Sequence, residues 1–268
     1  MIVPPLALLL GCAGLDGFFF NPRRVDAYDL SSDVLPAEQV EEVSFTSLDG
    51  TTLYGAWIHQ PEPAPILIYF HGNDSDLSAY WDRMELQYSW GFDTFIFDYR
   101  CYGRSEGECS YDGVLEQDGL AAVQYVADTT GVAPSEMVWW GHSLGGSAII
   151  HTNDEIEAAA VMIESTFASA NDIGDDAIGL DLPVGWFFRD DFDNVAEIPN
   201  VQSPIFIIHG LGDDYILTEY ANKLYNAAPD PKALWQPDGC GHSTCPSLLG
   251  DEFRDRALGF YADHGVSP

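Results

Sequence analysis

Apolar residues along this chain gather in short runs separated by longer stretches of mixed character. Residues 42–47 and 52–59 alternate apolar and polar positions on either side of Asp49-Gly50, which predicts an antiparallel hairpin. Residues 66–70, 94–98, 137–140, 158–163, 205–208 and 233–236 are mostly apolar, as strands buried on both faces are. Between these runs the spacing turns helical, over 78–90, 114–127, 219–227 and 253–261, and a further helix is expected to begin near Gly146. In the second of these, Leu115, Leu120, Val123 and Val126 fall on one side. Strands that alternate with helices imply a mostly parallel, eight-stranded sheet with both faces covered. Residues 165–203 carry no strand pattern and are expected to form a small cap of helices and loops around Trp186-Phe187-Phe188. No internal repeat or low-complexity tract interrupts the pattern.

A chain of 268 residues with 46% apolar content can bury a full core as one large domain. Charge changes the picture more. There are 43 acidic residues against 10 basic ones, a formal net charge of −33, and only Lys223 and Lys232 are lysines. Such a surface repels nucleic acid and anionic membranes. It also repels itself at low ionic strength, and it resembles the surfaces of proteins from salt-loving organisms, where salt screens the repulsion.

The N-terminal residues 2–10 are apolar but too short to span a bilayer as a helix, and they suit a secretory signal. Leu9-Leu10-Gly11-Cys12 is similar to a bacterial lipobox, although no Lys or Arg precedes the apolar run. The expectation is an extracytoplasmic protein anchored by lipidated Cys12. Residues 1–12 would then be the signal segment, 13–40 a tether that packs back on the domain, and 41–268 the domain itself. Four further cysteines, Cys101, Cys109, Cys240 and Cys245, make an even number for an oxidising compartment, and the local pairs Cys101–Cys109 and Cys240–Cys245 would close short loops. No C-x-x-C spacing supports a zinc site, so no metal is expected.

The chemistry centres on Gly141-His142-Ser143-Leu144-Gly145, a G-x-S-x-G pentapeptide between an apolar strand and a helical stretch. In that context the serine sits on a tight, strained turn at the carboxyl end of the sheet, and Gly141 and Gly145 let strand and helix approach around it. A serine hydroxyl needs a neighbouring base. Among the seven histidines, His242 is favoured, in the glycine-rich Gly239-Cys240-Gly241-His242 that follows the last strand. His142 is expected to point elsewhere on the turn, His151 to be structural, and His71 and His209 to shape loops. The imidazole in turn needs a carboxylate. Asp213 in His209-Gly210-Leu211-Gly212-Asp213-Asp214 is the choice, with Asp214 and Glu164 as alternatives. The oxyanion donors are expected to be the backbone amides of Leu144 and Asn73.

With these residues in view the chain resembles the α/β-hydrolase superfamily, closest to the small members grouped with serine aminopeptidases and acyl-protein thioesterase-like hydrolases. The resemblance rests on YFHGN (69–73), FDYRCYGRSEG (97–107), GHSLGG (141–146), HGLGDDYI (209–216) and GCGH (239–242). It implies a serine hydrolase that cleaves an ester or thioester through an acyl-enzyme, without a cofactor, on a small-molecule or acylated substrate. An aminopeptidase or amidase is the alternative, with Asp172, Asp175, Asp176 and Asp181 available to hold a substrate amine; a binding protein that kept the fold is the non-enzymatic one. Relatives usually carry glycine at the position of Cys101. A left-handed backbone there would strain a cysteine, and a disulfide would compensate.

Overall fold

The computed structural model describes residues 20–109, 113–169 and 192–268. Cys12, the expected cap centre at 186–188 and the four cap aspartates lie outside these residues. Eight strands form one sheet: β1 (Val40–Thr46), β2 (Thr52–Ile58), β3 (Ile66–Phe70), β4 (Asp93–Phe97), β5 (Val138–His142), β6 (Ala160–Glu164), β7 (Ile205–Ile208) and β8 (Lys232–Trp235). Their spatial order is β8-β7-β6-β5-β3-β4-β2-β1. All pairings are parallel except β1 with β2 and β2 with β4. The expected eight-stranded, mostly parallel sheet is therefore present.

Alternation along each strand divides the core in two. Ile66, Ile68, Phe70, Met137 and Trp139 pack on one face, while Leu67, Tyr69, Val138 and Trp140 pack on the other. Over the first face lie α2 (Val114–Thr130), α3 (Leu144–Glu155), the short α4 (Asn194–Glu197) and α5 (Glu219–Ala227), delivering Leu115, Val123, Ile149 and Leu224. Over the second lie α1 (Trp81–Ser89) and α7 (Asp251–Asp263), delivering Met84, Phe253 and Tyr261, with α6 (Cys245–Leu249) beside them. Every residue of β3, β5 and β6 is buried, which is why these runs read as continuously apolar.

Differences from the sequence reading are local. The stretch expected as one helix over 78–90 splits into a 3-10 turn at Leu77–Tyr80 followed by α1. Asp76 stands in extended conformation before it and accepts from the Ser78 amide, the capping geometry that starts the turn. Helix α6 begins at Cys245, in a stretch to which the sequence reading assigned no helix, with Pro246 at a first-turn position that proline suits. Residues 20–28 are fastened to the domain. Asn21–Pro22 pairs in parallel with Asp74–Ser75, and Arg24 bridges to Gly103.

Candidate active site

Strand β5 ends at His142 and α3 begins at Leu144, so one residue turns the chain between them. That residue, Ser143, has φ 53° and ψ −113°. The conformation costs a non-glycine residue on the order of 1–3 kcal/mol and persists only where its surroundings hold it. Here the Ser143 amide donates to the Glu164 carbonyl at 2.8 Å, and the Gly146 amide donates to the Ser143 carbonyl at 3.0 Å. Both flanking glycines are required by space. A Cβ on Gly141 would lie 2.5 Å from the Gly145 carbonyl oxygen, and one on Gly145 would lie 1.9 Å from that of Phe70.

The other expected site residues converge on the same end of the sheet. His242 Nδ1 lies 2.9 Å from Asp213 Oδ2. Asp213 Oδ1 accepts from the amides of Tyr215 at 3.0 Å and Ile216 at 2.8 Å. Burial alone would raise the Asp213 pKa, but hydrogen bonds from His209, His242 and the Ile216 amide outweigh it and hold the carboxyl well below the usual range. In the tautomer that donates its Nδ1–H to this carboxylate, His242 has Nε2 available as an acceptor. Ser143, His242 and Asn73 line one cleft of about 560 Å³, together with His142 and Tyr215. Leu144 is the first residue of α3, where amides have no intrahelical acceptor.

Of the carboxylates considered as alternatives, Glu164 has another role. Its Oε2 accepts from Arg83 Nη1 at 2.7 Å and from Trp140 Nε1 at 3.2 Å, wholly buried. Arg83 Nη2 donates onward to the Ser243 carbonyl at 2.8 Å, next to His242. Burial works against the Arg83 charge, and the Glu164 carboxylate overcomes it, so the guanidinium pKa is raised. Asp214 has no hydrogen bond to a histidine among the described residues.

Two histidines depart from their expected roles. His142 does not point away from the site. It lines the cleft, its ring centroid 5.0 Å from that of His242, and its Nε2 donates to the His242 carbonyl at 2.9 Å. Burial first, then the charges of His242 and Arg83, push its pKa well below the ordinary histidine value. His209 does more than shape its loop. Its Nε2 lies 2.8 Å from the Ile216 carbonyl and 3.1 Å from Asp213 Oδ2, so it shares the carboxylate with His242. The i,i+4 spacing of His209 and Asp213 was the available signal. For the Arg83–Glu164–Ser243 chain, spread over three distant segments, the sequence held none.

The structure joins Cys101 to Cys109 and Cys240 to Cys245. Cys101 has φ 67°, the left-handed backbone at which glycine is favoured. Among the described residues no group of three His, Cys, Asp or Glu side chains is placed to hold a metal ion. Likewise no helix among them is long and apolar enough to cross a membrane.

With that geometry in place, relatives become informative. The chain is 32% identical over 254 residues to the uncharacterized protein YfhR of Escherichia coli O157:H7, covering 91% of this chain and 86% of that protein. It belongs to the YfhR family. It is also 28% identical to the uncharacterized protein MT2364 of Mycobacterium tuberculosis, over 98% of this chain and 96% of that one. The alpha/beta hydrolase domain-containing protein WAV2 of Arabidopsis thaliana is 26% identical over 70% of this chain and 66% of its own length. Among solved structures the Pyrococcus furiosus esterase Pf2001 superposes with a TM-score of 0.75 at 21% identity, covering 91% of this chain and 97% of that one. This YfhR-family chain therefore has the α/β-hydrolase fold. No family model matches it.

Proposed function

We propose that the protein is a serine hydrolase that cleaves an ester or thioester through an acyl-enzyme. The observation that carries the reading is the strained Ser143 sharing a cleft with a histidine held 2.9 Å from a buried carboxylate. Ser143 Oγ attacks the substrate carbonyl carbon while His242 Nε2 takes its proton. Asp213 orients the ring and stabilises the imidazolium. The amides of Leu144 and Asn73 receive the oxyanion, an interaction that contributes about 3 kcal/mol per donor to such reactions. Collapse of the tetrahedral intermediate breaks the bond to the leaving group, which takes the proton from His242. Water, deprotonated by the same His242, then releases the acid and restores Ser143.

Ester over amide is supported by the fold neighbours that bear esterase names, Pf2001 and an acetyl xylan esterase from Paenibacillus sp. R4. The cleft volume suits a small or medium acyl substrate. The acidic surface disfavours nucleic acid as a partner. An amidase or aminopeptidase is the second reading. It is favoured by Asp74 and Asp82 in the cleft wall, where a substrate amine would find a carboxylate. We place the protein outside the cytoplasm, anchored by lipid on Cys12. Membrane partitioning that Cys12→Ser abolishes is the expected result, and a soluble chain retaining Met1 would refute it.

The decisive experiment is fluorophosphonate labelling of the wild type and of Ser143→Ala, followed by turnover on acyl esters against aminoacyl amides. Labelling lost in Ser143→Ala, with turnover reduced by on the order of a millionfold and an unchanged circular dichroism spectrum, is the expected outcome. Retained activity would end the assignment.

A further inference from the structure

We propose that residues 20–24 act as a strap that positions the oxyanion loop, with Asn21 as the positioning residue. The inference rests on the acyl-enzyme reading. Asn73, the expected donor from the β3 loop, has its side chain fixed from two sides. Its Oδ1 accepts from the Asn21 amide at 3.1 Å and from the Tyr102 hydroxyl at 2.6 Å. The Asn21 side chain binds the next residue of the same loop, Nδ2 donating to Asp74 Oδ1 at 2.6 Å. Parallel pairing continues the contact, with Asn21 opposite Asp74, Pro22 opposite Ser75, and the Arg23 amide donating to the Ser75 carbonyl at 2.8 Å.

The strap is itself held from beneath. Arg23 Nε pairs with the buried Asp76 at 2.6 Å. The Gly103 amide donates to the Arg23 carbonyl at 2.8 Å, and Arg24 donates to the carbonyls of Ser105 and Gly107. Phe20 packs edge-on against Tyr102 and Phe192. Without the strap, Asp74 and Ser75 would leave β3 with no partner strand. With it, they are one member of a two-stranded ribbon, and Asn21 lines the cleft with Asn73. An oxyanion donor acts only at hydrogen-bond distance from where charge develops, so a loop free to shift loses transition-state binding before it loses substrate binding.

The test uses Asn21→Pro, which deletes the amide hydrogen given to Asn73, and Asn21→Ala, which keeps it. A misplacement of about 1 Å costs up to about a hundredfold, so Asn21→Pro should lower kcat on p-nitrophenyl acetate ~10- to 100-fold. KM should stay within about twofold, and affinity for an alkyl boronic acid, which imitates the tetrahedral intermediate, should fall with kcat. Asn21→Ala keeps the amide bond to Asn73 and loses the side-chain bond to Asp74, so its kcat should fall, but by less than that of Asn21→Pro. Wild-type kcat in Asn21→Pro, whatever its melting temperature, would overturn the proposal, as would a rise in KM alone. If Asn21→Pro does not fold, Arg23→Gln decides, because it removes the ion pair that seats the strap on Asp76: an unchanged kcat there refutes the strap. A wild type that neither hydrolyses esters nor reacts with fluorophosphonate would refute the acyl-enzyme reading instead.

Discussion

Replacing Arg83 tests whether a buried ion pair holds the loop that carries His242. Arg83 and Glu164 side chains are 6% and 0% exposed, and their closest atoms are 2.7 Å apart. Arg83→Met keeps most of the volume and the packing over Trp140 but leaves the Glu164 carboxyl buried without its cation, with Trp140 Nε1 as its one remaining side-chain donor among the described residues. Breaking such a pair costs about 3–5 kcal/mol. At roughly 2–4 °C per kcal/mol for a chain of this size, the melting midpoint should fall by roughly 6–20 °C. Arg83→Met/Glu164→Met removes both charges, and most of the stability should return, because the penalty lies in the orphaned carboxylate. Activity should not return with it. The bond from Arg83 to the Ser243 carbonyl is lost in both variants, and the His242 loop loses that anchor. Urea unfolding and ester turnover on the three proteins separate the two effects. A single variant less than about 1 kcal/mol below wild type, or a double variant no better than the single, would refute the reasoning.

Gly145→Ala should not yield an active fold, since its Cβ would meet the Phe70 carbonyl oxygen at 1.9 Å; a soluble, active variant would show that the elbow can relax. Thermal melts in dilute buffer and in molar potassium chloride should differ by many degrees because of the −33 charge, and equal midpoints would discount surface repulsion. Reduction of Cys240–Cys245, which brackets His242, should lower turnover more than stability; full turnover in Cys240→Ser/Cys245→Ser would make the bridge purely structural. His142 is held neutral by burial, with a folded pKa below the unfolded value of about 6.5. The unfolded state therefore binds the extra proton first, and stability is full above about pH 6.5 and declines as pH falls toward the folded pKa. His142→Gln should flatten that decline between pH 7.5 and 5, and an unchanged slope would place the titration elsewhere, for example at the half-buried His151.

The sheet was legible because its strands are buried on both faces. Ile66–Phe70 and Ile205–Ile208 are unbroken apolar runs, and nothing but a covered parallel strand of that length accounts for them between helical stretches. Ser143 was legible for a similar reason, since a strand, a G-x-S-x-G turn and a helix occur in immediate succession. What could not be read was anything that depends on where a side chain points. The next-door position, His142, reads as ornament in the sequence, yet its ring stands against His242 in the cleft. Arg83 reads as one polar position on an amphipathic helix, and only the fold brings it to Glu164, 81 residues away, and Ser243, 160 away. The 13–40 stretch read as a tether because it follows the signal-like segment. Within it, Asn21–Pro22 is held by backbone pairing with Asp74–Ser75, which composition does not encode.

The scarcity of positive charge sharpens the meaning of where it is spent. Of the seven arginines among the described residues, five join segments of the chain, and one of these, Arg83, lines the cleft. Arg23 meets Asp76, Arg24 the carbonyls of Ser105 and Gly107, and Arg83 Glu164 and Ser243. Arg100 meets Asp118 and Asp49, and Arg104 meets Glu42. Each ties together residues remote in sequence. By contrast Arg254 and Arg256 pair within α7 on its exposed side. Salt weakens exposed interactions over about 8–10 Å but reaches buried pairs much less. The repulsion among surface carboxylates and the buried Arg83 clamp therefore respond differently to ionic strength. Added salt relieves the first while leaving the buried Arg83 clamp largely intact, so global stability should climb with salt while kcat, which depends on the loop that Arg83 anchors, stays nearly constant. A kcat that rose in step with the melting temperature would mean that the cleft, like the surface, is held open by its own negative charge.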